Sequence, residues 1–300
     1  MGTIKKIIVG LDLGDFDSTV LSYLKTVNMI ARPEKVTLLN IYKEIHLSDD
    51  LLKKFPDLKT TITQEHVQKL KEECSNFHIV GTDVEYVVHE GNPLQEIMRA
   101  AKAKDADLIM VGKKNTKEKG VSHEKLARAS YCDVLMVTAN SQSKIKQILV
   151  ATDFSKYSKD ALLKAIDLAD QASASLNLLH VYHVPHGYSK TGKSFEEFAQ
   201  IMKDNAKKDC ESFMKGVDTK GVKIDSIFVL ADSDDDYEHI ITSARASKSD
   251  LIVVGAKGRT NISAFLMGSV TEKLIQQSDI PLYISKDKGA EFGFLDAIIS

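Results

Sequence analysis

The sequence predicts an α/β protein of two tandem, doubly wound domains, each on a parallel five-stranded sheet. Three observations carry that prediction. The chain has 300 residues, about twice the ~150-residue mode of one domain. Short apolar runs alternate with stretches of helical spacing. The whole pattern then occurs a second time.

The repeat is explicit. IKKIIVGLD (Ile4–Asp12) returns as IKQILVATD (Ile145–Asp153), 141 residues on. KVTLLNIY (Lys35–Tyr42) corresponds to SLNLLHVY (Ser175–Tyr182) at an offset of 140, and DLIMVGKKN (Asp107–Asn115) to DLIVVGAKG (Asp250–Gly258) at 143. CDVLMV (Cys132–Val137) matches SDIPLYI (Ser278–Ile284). Four runs in one order at a nearly constant offset indicate duplication followed by loop changes. The expected domains are residues 1–140 and 144–286, joined by the polar segment Ala139–Lys144. Residues 287–300 are left as a tail whose Phe292, Phe294, Leu295, Ile298 and Ile299 could pack on the body or on a partner.

Within the first half, Ile7–Val9, Val36–Ile41, Val84–Val88, Leu108–Val111 and Val134–Val137 read as apolar runs, as strands covered on both faces do. Between them, Val20, Leu21, Leu24 and Val27 fall on one helical face, as do Leu162, Ala165, Ile166 and Ala169 in the second half. Strands alternating with helices imply right-handed crossovers and a parallel sheet.

Composition removes other classes. Hydrophobic residues make up 43% and charged residues 27%, which is globular usage. A net charge of -2 argues against general attraction to nucleic acid or anionic membrane. Trp is absent and aromatics are 7%, poor material for base stacking along a nucleic acid. No apolar run approaches the roughly 18 residues of a membrane span, and Met1–Lys6 is followed by no signal-peptide core. Cys74, Cys132 and Cys210 are far apart, with no zinc spacing, which suits a reduced compartment. The expectation is a soluble, cytoplasmic protein.

The strongest chemical signal follows the strand Leu251–Val254. In GAKGRTNISAFLMGS, Gly255 and Gly258 are separated by two residues, and nine more lead to Gly268 and Ser269. Val270, Leu274 and Ile275 then have helical spacing. Glycines let a backbone approach an anion closely, and amides at a helix N-terminus point at it with a favourable dipole. With strand order 3-2-1-4-5, the ligand crevice opens between strands one and four, where Thr152-Asp153 and Gly255 converge. A structural alternative stands beside this one. Ser269-Val270-Thr271-Glu272 fits a capping box, and Gly255 and Gly258 could be plain turn residues.

GAKGRTNISAFLMGSVTEKLIQQSDIPLYIS resembles the carboxy-terminal signature of the universal stress protein family, with its G-x2-G-x9-G-[ST] ATP-binding motif. ATDFSKYSKDALLKAIDLA resembles that family's first strand and helix. The likeness is strong over Ile145–Ser285 and weaker over Lys5–Thr138. It implies a tandem member with two Rossmann-like sheets of the adenine nucleotide alpha hydrolase-like kind, order 3-2-1-4-5. It also implies residue roles. Thr152 and Asp153 would lie by the adenosine, and the Val181 backbone would meet the adenine edge. Val254 would line the adenine pocket, while Gly255 and Gly258 let the loop pass over ribose and phosphates. Gly268, Ser269 and Val270 would donate amides to the phosphates, with the Ser269 hydroxyl beside them. Against the Asp153 role stands simple capping of the helix after Phe154.

The first half departs from this pattern. Seven residues separate Gly112 from Gly120, against twelve between Gly255 and Gly268; Asn115 replaces Gly258 and Val121 replaces Ser269. Asp12 remains, and Lys113, Lys114, Lys117 and Lys119 form a run that either attracts an anion or is simply solvated. The expectation is one ATP per chain, bound in the second half, with Mg²⁺ or Mn²⁺ only as companion of its phosphates and with AMP or ADP as related ligands.

Three further patterns compete. Gly187–Ser194 satisfies GxxxxGK[ST], and Ile227–Asp232 loosely resembles a Walker B strand, although Pro185 and His186 break the junction. Asp232–Asp236 with Glu238 and His239 could bind a metal or complement a helix dipole. His180, His183 and His186 could form a metal edge or a solvated row. No GxSxG, HExxH or carboxylate dyad is found. The reading is an ATP-binding stress-response regulator without catalytic residues or a resident metal. The alternatives are a nucleotide-free dimeric scaffold and a P-loop NTPase. Last-strand edges such as Pro281–Ser285 favour pairing, and the family likeness adds a homodimer.

Overall fold

A computed structural model describes residues 4–45, 47–77, 79–114, 122–259 and 267–288. The chain divides into two compact units, 1–143 with 288–300, and 144–287.

In the first unit, β1 (Lys6–Leu11) leads through α1 (Asp17–Ala31) to β2 (Lys35–Tyr42), then through α2 (Asp49–Lys54) and α3 (Leu58–Cys74) to β3 (Asp83–Glu90). Next come α4 (Pro93–Lys104), β4 (Leu108–Gly112), α5 (His123–Ala129) and β5 (Asp133–Val137). The strands are parallel, in the order β3-β2-β1-β4-β5. The second unit runs β6 (Gln147–Ala151), α6 (Lys156–Ala172), β7 (Ser175–Tyr182), α7 (Phe195–Met214), β8 (Ile224–Leu230), α8 (Asp236–Ala246), β9 (Leu251–Gly255), α9 (Ser269–Gln277) and β10 (Leu282–Ser285). Its own order is β8-β7-β6-β9-β10, again parallel and again 3-2-1-4-5 within the unit.

The central strands are apolar because helices cover both faces. Ile7, Ile8 and Val9 are buried, as are Leu108–Met110 and Ile148–Val150. The helical stripes Val20, Leu21, Leu24, Val27 and Leu162, Ala165, Ile166, Ala169 are buried against them. β3 differs from the expectation of a strand covered on both sides. Its residues are half-buried along most of its length, because it is the edge of its sheet.

The duplication reaches individual hydrogen bonds. The Asp107 carboxylate accepts from the amides of Lys5 and Lys6, and Asp250 accepts from those of Lys146 and Gln147. Each carboxylate thus ties the start of one strand to the start of its neighbour. The Ser130 hydroxyl donates to the Cys132 carbonyl as that of Ser278 does to Ile280. Left-handed non-glycine residues also occur at matching places: Leu13 and Phe154 after the first strand, Arg32 and Ser173 after the first helix. A conformation that costs about 1 kcal/mol for an L-residue has been kept in both copies.

Candidate functional site

The crevice in the second unit lies at the C-terminal ends of β6, β7 and β9, where Thr152, Asp153, Val181, Val254, Gly255, Gly258, Gly268, Ser269 and Val270 all line one cavity of about 260 Å³. It forms there because β6 ends at Ala151, while β7 runs on to Tyr182 and β9 to Gly255.

At the β6 exit, the Thr152 hydroxyl accepts from the Phe154 amide at 2.9 Å and donates to Ser158 at 3.0 Å. This holds Phe154 left-handed, at φ 63°. The cap of α6 is Ser155, whose hydroxyl accepts from the Ser158 amide. Asp153 is therefore not the helix cap. One of its oxygens accepts from the Ser155 amide at 3.0 Å and the other from the Arg259 amide at 2.7 Å. Burial alone would raise its pKa, but these bonds and that to Ser158 hold the carboxyl below its usual value, so it is ionised.

From β7, His180 Nδ1 donates to the Thr152 carbonyl at 2.8 Å, which fixes the tautomer because a carbonyl can only accept. Burial pushes this imidazole's pKa down. Its ring packs on Phe154 with centroids 4.3 Å apart. The Leu179 carbonyl accepts from the Thr152 amide, and the register with β6 ends there. Alternate residues of a strand point their amide and carbonyl to the same side, so Val181 directs both toward the space beyond β6. Neither has a partner there among the described residues.

On the opposite wall the glycines have distinct jobs. A Cβ on Gly255 would lie 3.0 Å from the Tyr157 backbone, and one on Gly258 would lie 2.8 Å from an Asp153 oxygen. Gly268 has room for a Cβ, its nearest neighbour being 3.7 Å away. What it provides is an N-cap without a side chain. α9 starts at Ser269, and no side chain caps it. The capping-box alternative is thereby corrected: Gly268 holds the cap position, Ser269 is the first helical residue, and its hydroxyl accepts from no first-turn amide. Thr271 instead donates to the Gly255 carbonyl at 2.9 Å, tying the helix start to β9. The amides of Ser269, Val270 and Thr271 have no acceptor among the described residues, as first-turn amides do unless something outside the helix meets them.

His180, Asp236, Ile240, Lys257, Arg259 and Thr271 also line the cavity and were not assigned to it from sequence. Lys257 and Arg259 lie inside the glycine motif and could have been suspected. Asp236 and His180 were visible only as parts of an acidic run and a histidine row.

Those patterns resolve differently from a metal site. His183 Nε2 lies 2.7 Å from an Asp236 oxygen, and Asp236 and Glu238 sit in the first turn of α8. No group of three or more metal-ligating side chains occurs among the described residues. Gly187–Ser194 is not built as a P-loop. Tyr188–Thr191 forms a short 3-10 turn, Lys193 is exposed, and Ser194 makes a capping box with Glu197 at the head of α7.

The first unit has the same framework with different ends. Asn40 Nδ2 donates to the Leu11 carbonyl, as His180 does to Thr152. His123 Nε2 donates to the Gly112 carbonyl, as Thr271 does to Gly255. Here, however, α5 is capped by Ser122, whose hydroxyl accepts from the Lys125 amide. Lys114 places its ammonium 2.7 Å from an Asp12 oxygen, Lys113 is buried, and the Phe16 ring lies where a Cβ on Gly112 would be. Asn115, Lys117, Lys119, Gly120 and Val121 lie outside the described residues, as do the five tail hydrophobics from Phe292 to Ile299.

Residues 3–138 and 144–286 each match the universal stress protein family. The chain belongs to that family. Its matches include the universal stress protein MJ0577 of Methanocaldococcus jannaschii, 30% identical over 160 residues, covering 48% of this chain and 97% of the relative. They also include the universal stress protein YxiE of Bacillus subtilis, 32% identical over 146 residues, covering 46% of this chain and 97% of that protein. A universal stress protein structure from Archaeoglobus fulgidus shares the fold along 96% of this chain and 98% of its own, with a TM-score of 0.62 at 18% identity. Like a tandem universal stress protein, the chain carries the family's fold twice. No helix among the described residues is long and apolar enough to cross a membrane, and Cys74, Cys132 and Cys210 are free and buried.

Proposed function

We propose that this universal stress protein binds one ATP, or a related adenine nucleotide, in the second unit's crevice and serves as a stress-response regulator without dedicated catalysis. The observation that carries the reading is the uncapped head of α9, where the amides of Ser269, Val270 and Thr271 and the Ser269 hydroxyl face a cavity with no protein acceptor among the described residues. A helix N-terminus of this kind suits phosphate oxygens. The unpaired amide and carbonyl of Val181 offer a donor beside an acceptor, matching adenine N1 and its amino group. Asp153, ionised and opposite, suits ribose hydroxyls. The first unit, whose equivalent cap is occupied by Ser122 and whose Asp12 is paired with Lys114, is assigned no nucleotide. Mg²⁺ or Mn²⁺ would enter with the phosphates. A cytoplasmic setting and a homodimer complete the reading.

Denaturing the purified protein and chromatographing the supernatant tests it. Adenine nucleotide near one equivalent, or calorimetric binding of one ATP per chain, is expected. A protein that neither carries nor binds adenine nucleotides transfers the crevice to the scaffold reading, and light scattering that finds only monomer removes the dimer.

A further inference from the structure

Resting on the adenine reading of the crevice, we infer that Asp236 is the residue that selects adenine over oxo-purines, with His183 as its positioning residue. Three features of the cavity converge on this. First, Leu179, Val181, Val254 and Ile240 form an apolar slot suited to a flat base, and Asp236 is the carboxylate on that wall, on the first turn of α8 above Ile240. The other carboxylate of the cavity, Asp153, is held on the far side by the Ser155 and Arg259 amides. Second, one Asp236 oxygen lies 2.7 Å from His183 Nε2, a contact that orients the carboxylate. The remaining acceptor capacity is left for the slot. Third, the Val181 backbone presents one donor and one acceptor to the same slot.

The purine chemistry then decides the preference. Adenine offers an acceptor at N1 and two hydrogens on its 6-amino group. Val181 can meet N1 and one of those hydrogens, and Asp236 accepts the second. Guanine and hypoxanthine carry a carbonyl oxygen at position 6, which would confront two acceptors, and a hydrogen on N1, which would confront the Val181 amide. A polar site left unmatched in this way discriminates more strongly than a missing apolar contact does.

The test is a binding matrix of wild type and Asp236→Asn against ATP and ITP, which differ in the group at position 6 and in the hydrogen that ITP carries on N1. Wild type is expected to bind ITP at least about tenfold more weakly than ATP. In Asp236→Asn, whose amide can donate to the 6-oxygen, the ratio should fall at least about threefold, leaving the part that N1 and Val181 set. Asp236→Ser, which keeps a hydrogen-bonding residue at the head of α8, should also narrow the ratio and guards against a folding defect in the first variant. His183→Ala should narrow it partway while leaving the thermal midpoint nearly unchanged. Wild type that binds ATP and ITP equally, or variants that keep the wild-type ratio, overturn the assignment of Asp236 while the nucleotide reading survives. Wild type that binds neither overturns both.

Discussion

The two crevices of this chain share a scaffold and differ in what occupies it. Both first strands end in an aspartate followed by a left-handed residue, and both fourth strands end in a glycine whose carbonyl is held by the next helix. In the second unit the helix head carries glycine at the cap and leaves its amides open; in the first, Ser122 fills that role from its own side chain. Each aspartate accepts from the amide two residues on, but the second oxygen of Asp153 accepts from the Arg259 amide, whereas that of Asp12 pairs with the Lys114 ammonium. Beneath these, Ser158 is replaced by Asp17, whose carboxylate accepts from the Leu13 amide at 2.8 Å. On the proposed reading, a ligand site is lost without loss of fold, by satisfying from within the groups that a ligand would otherwise satisfy.

The contrast is broken most directly at Gly268. Gly268→Val leaves room in the structure for its Cβ, yet its branched methyls would stand at the head of α9, where phosphate must approach the amides. ATP affinity should fall at least about a hundredfold, or roughly 2.7 kcal/mol, with a stability loss of no more than about 1 kcal/mol, since glycine caps a helix better than valine does. Calorimetry of wild type and variant checks both this and the stoichiometry. Two tight sites in the wild type would erase the distinction between the halves.

Asp17 gives the next largest effect. Burial first, and then the nearby Asp12 charge, push its pKa up to about 6. A carboxyl raised in this way opposes folding once ionised, so the penalty is absent below about pH 4, grows through pH 6 and persists above it. Between pH 4 and pH 7, Asp17→Asn should gain roughly 2 kcal/mol of stability relative to wild type. Urea denaturation of both proteins at the two pH values measures this; a gap that narrows as pH rises contradicts it.

The two serines separate the halves more finely. Ser122→Ala removes a working cap and should destabilise by about 1 kcal/mol. Ser269→Ala removes no cap, so its thermal midpoint should stay near wild type while ATP binding weakens roughly fivefold. Paired melting curves with and without ATP compare them, and a midpoint loss in Ser269→Ala equal to that in Ser122→Ala would restore the capping alternative.

The strand and helix pattern was legible because each element follows its own short-range rule: apolar runs buried between layers, a 3.6-residue stripe facing the sheet, a parallel crossover after each strand. The half-exposure of β3 did not show in its own run Val84–Val88, although the expected order 3-2-1-4-5 already places that strand at the edge. The glycines of the second loop were legible as a spacing, but spacing left open whether Ser269 capped the helix or stood free. The start of α9 decided that, one residue earlier than a cap would need.

Taken alone, the amino-acid order determined the duplication, the strand-helix alternation and the positions where backbone had to come close. Only the tertiary structure decided which polar groups are spent and which stay available. Asp153 meets Arg259 across 106 residues, and Asp12 meets Lys114 across 102. Such partners are chosen by the fold, because a hydrogen bond depends on distance in space and carries no trace in local sequence.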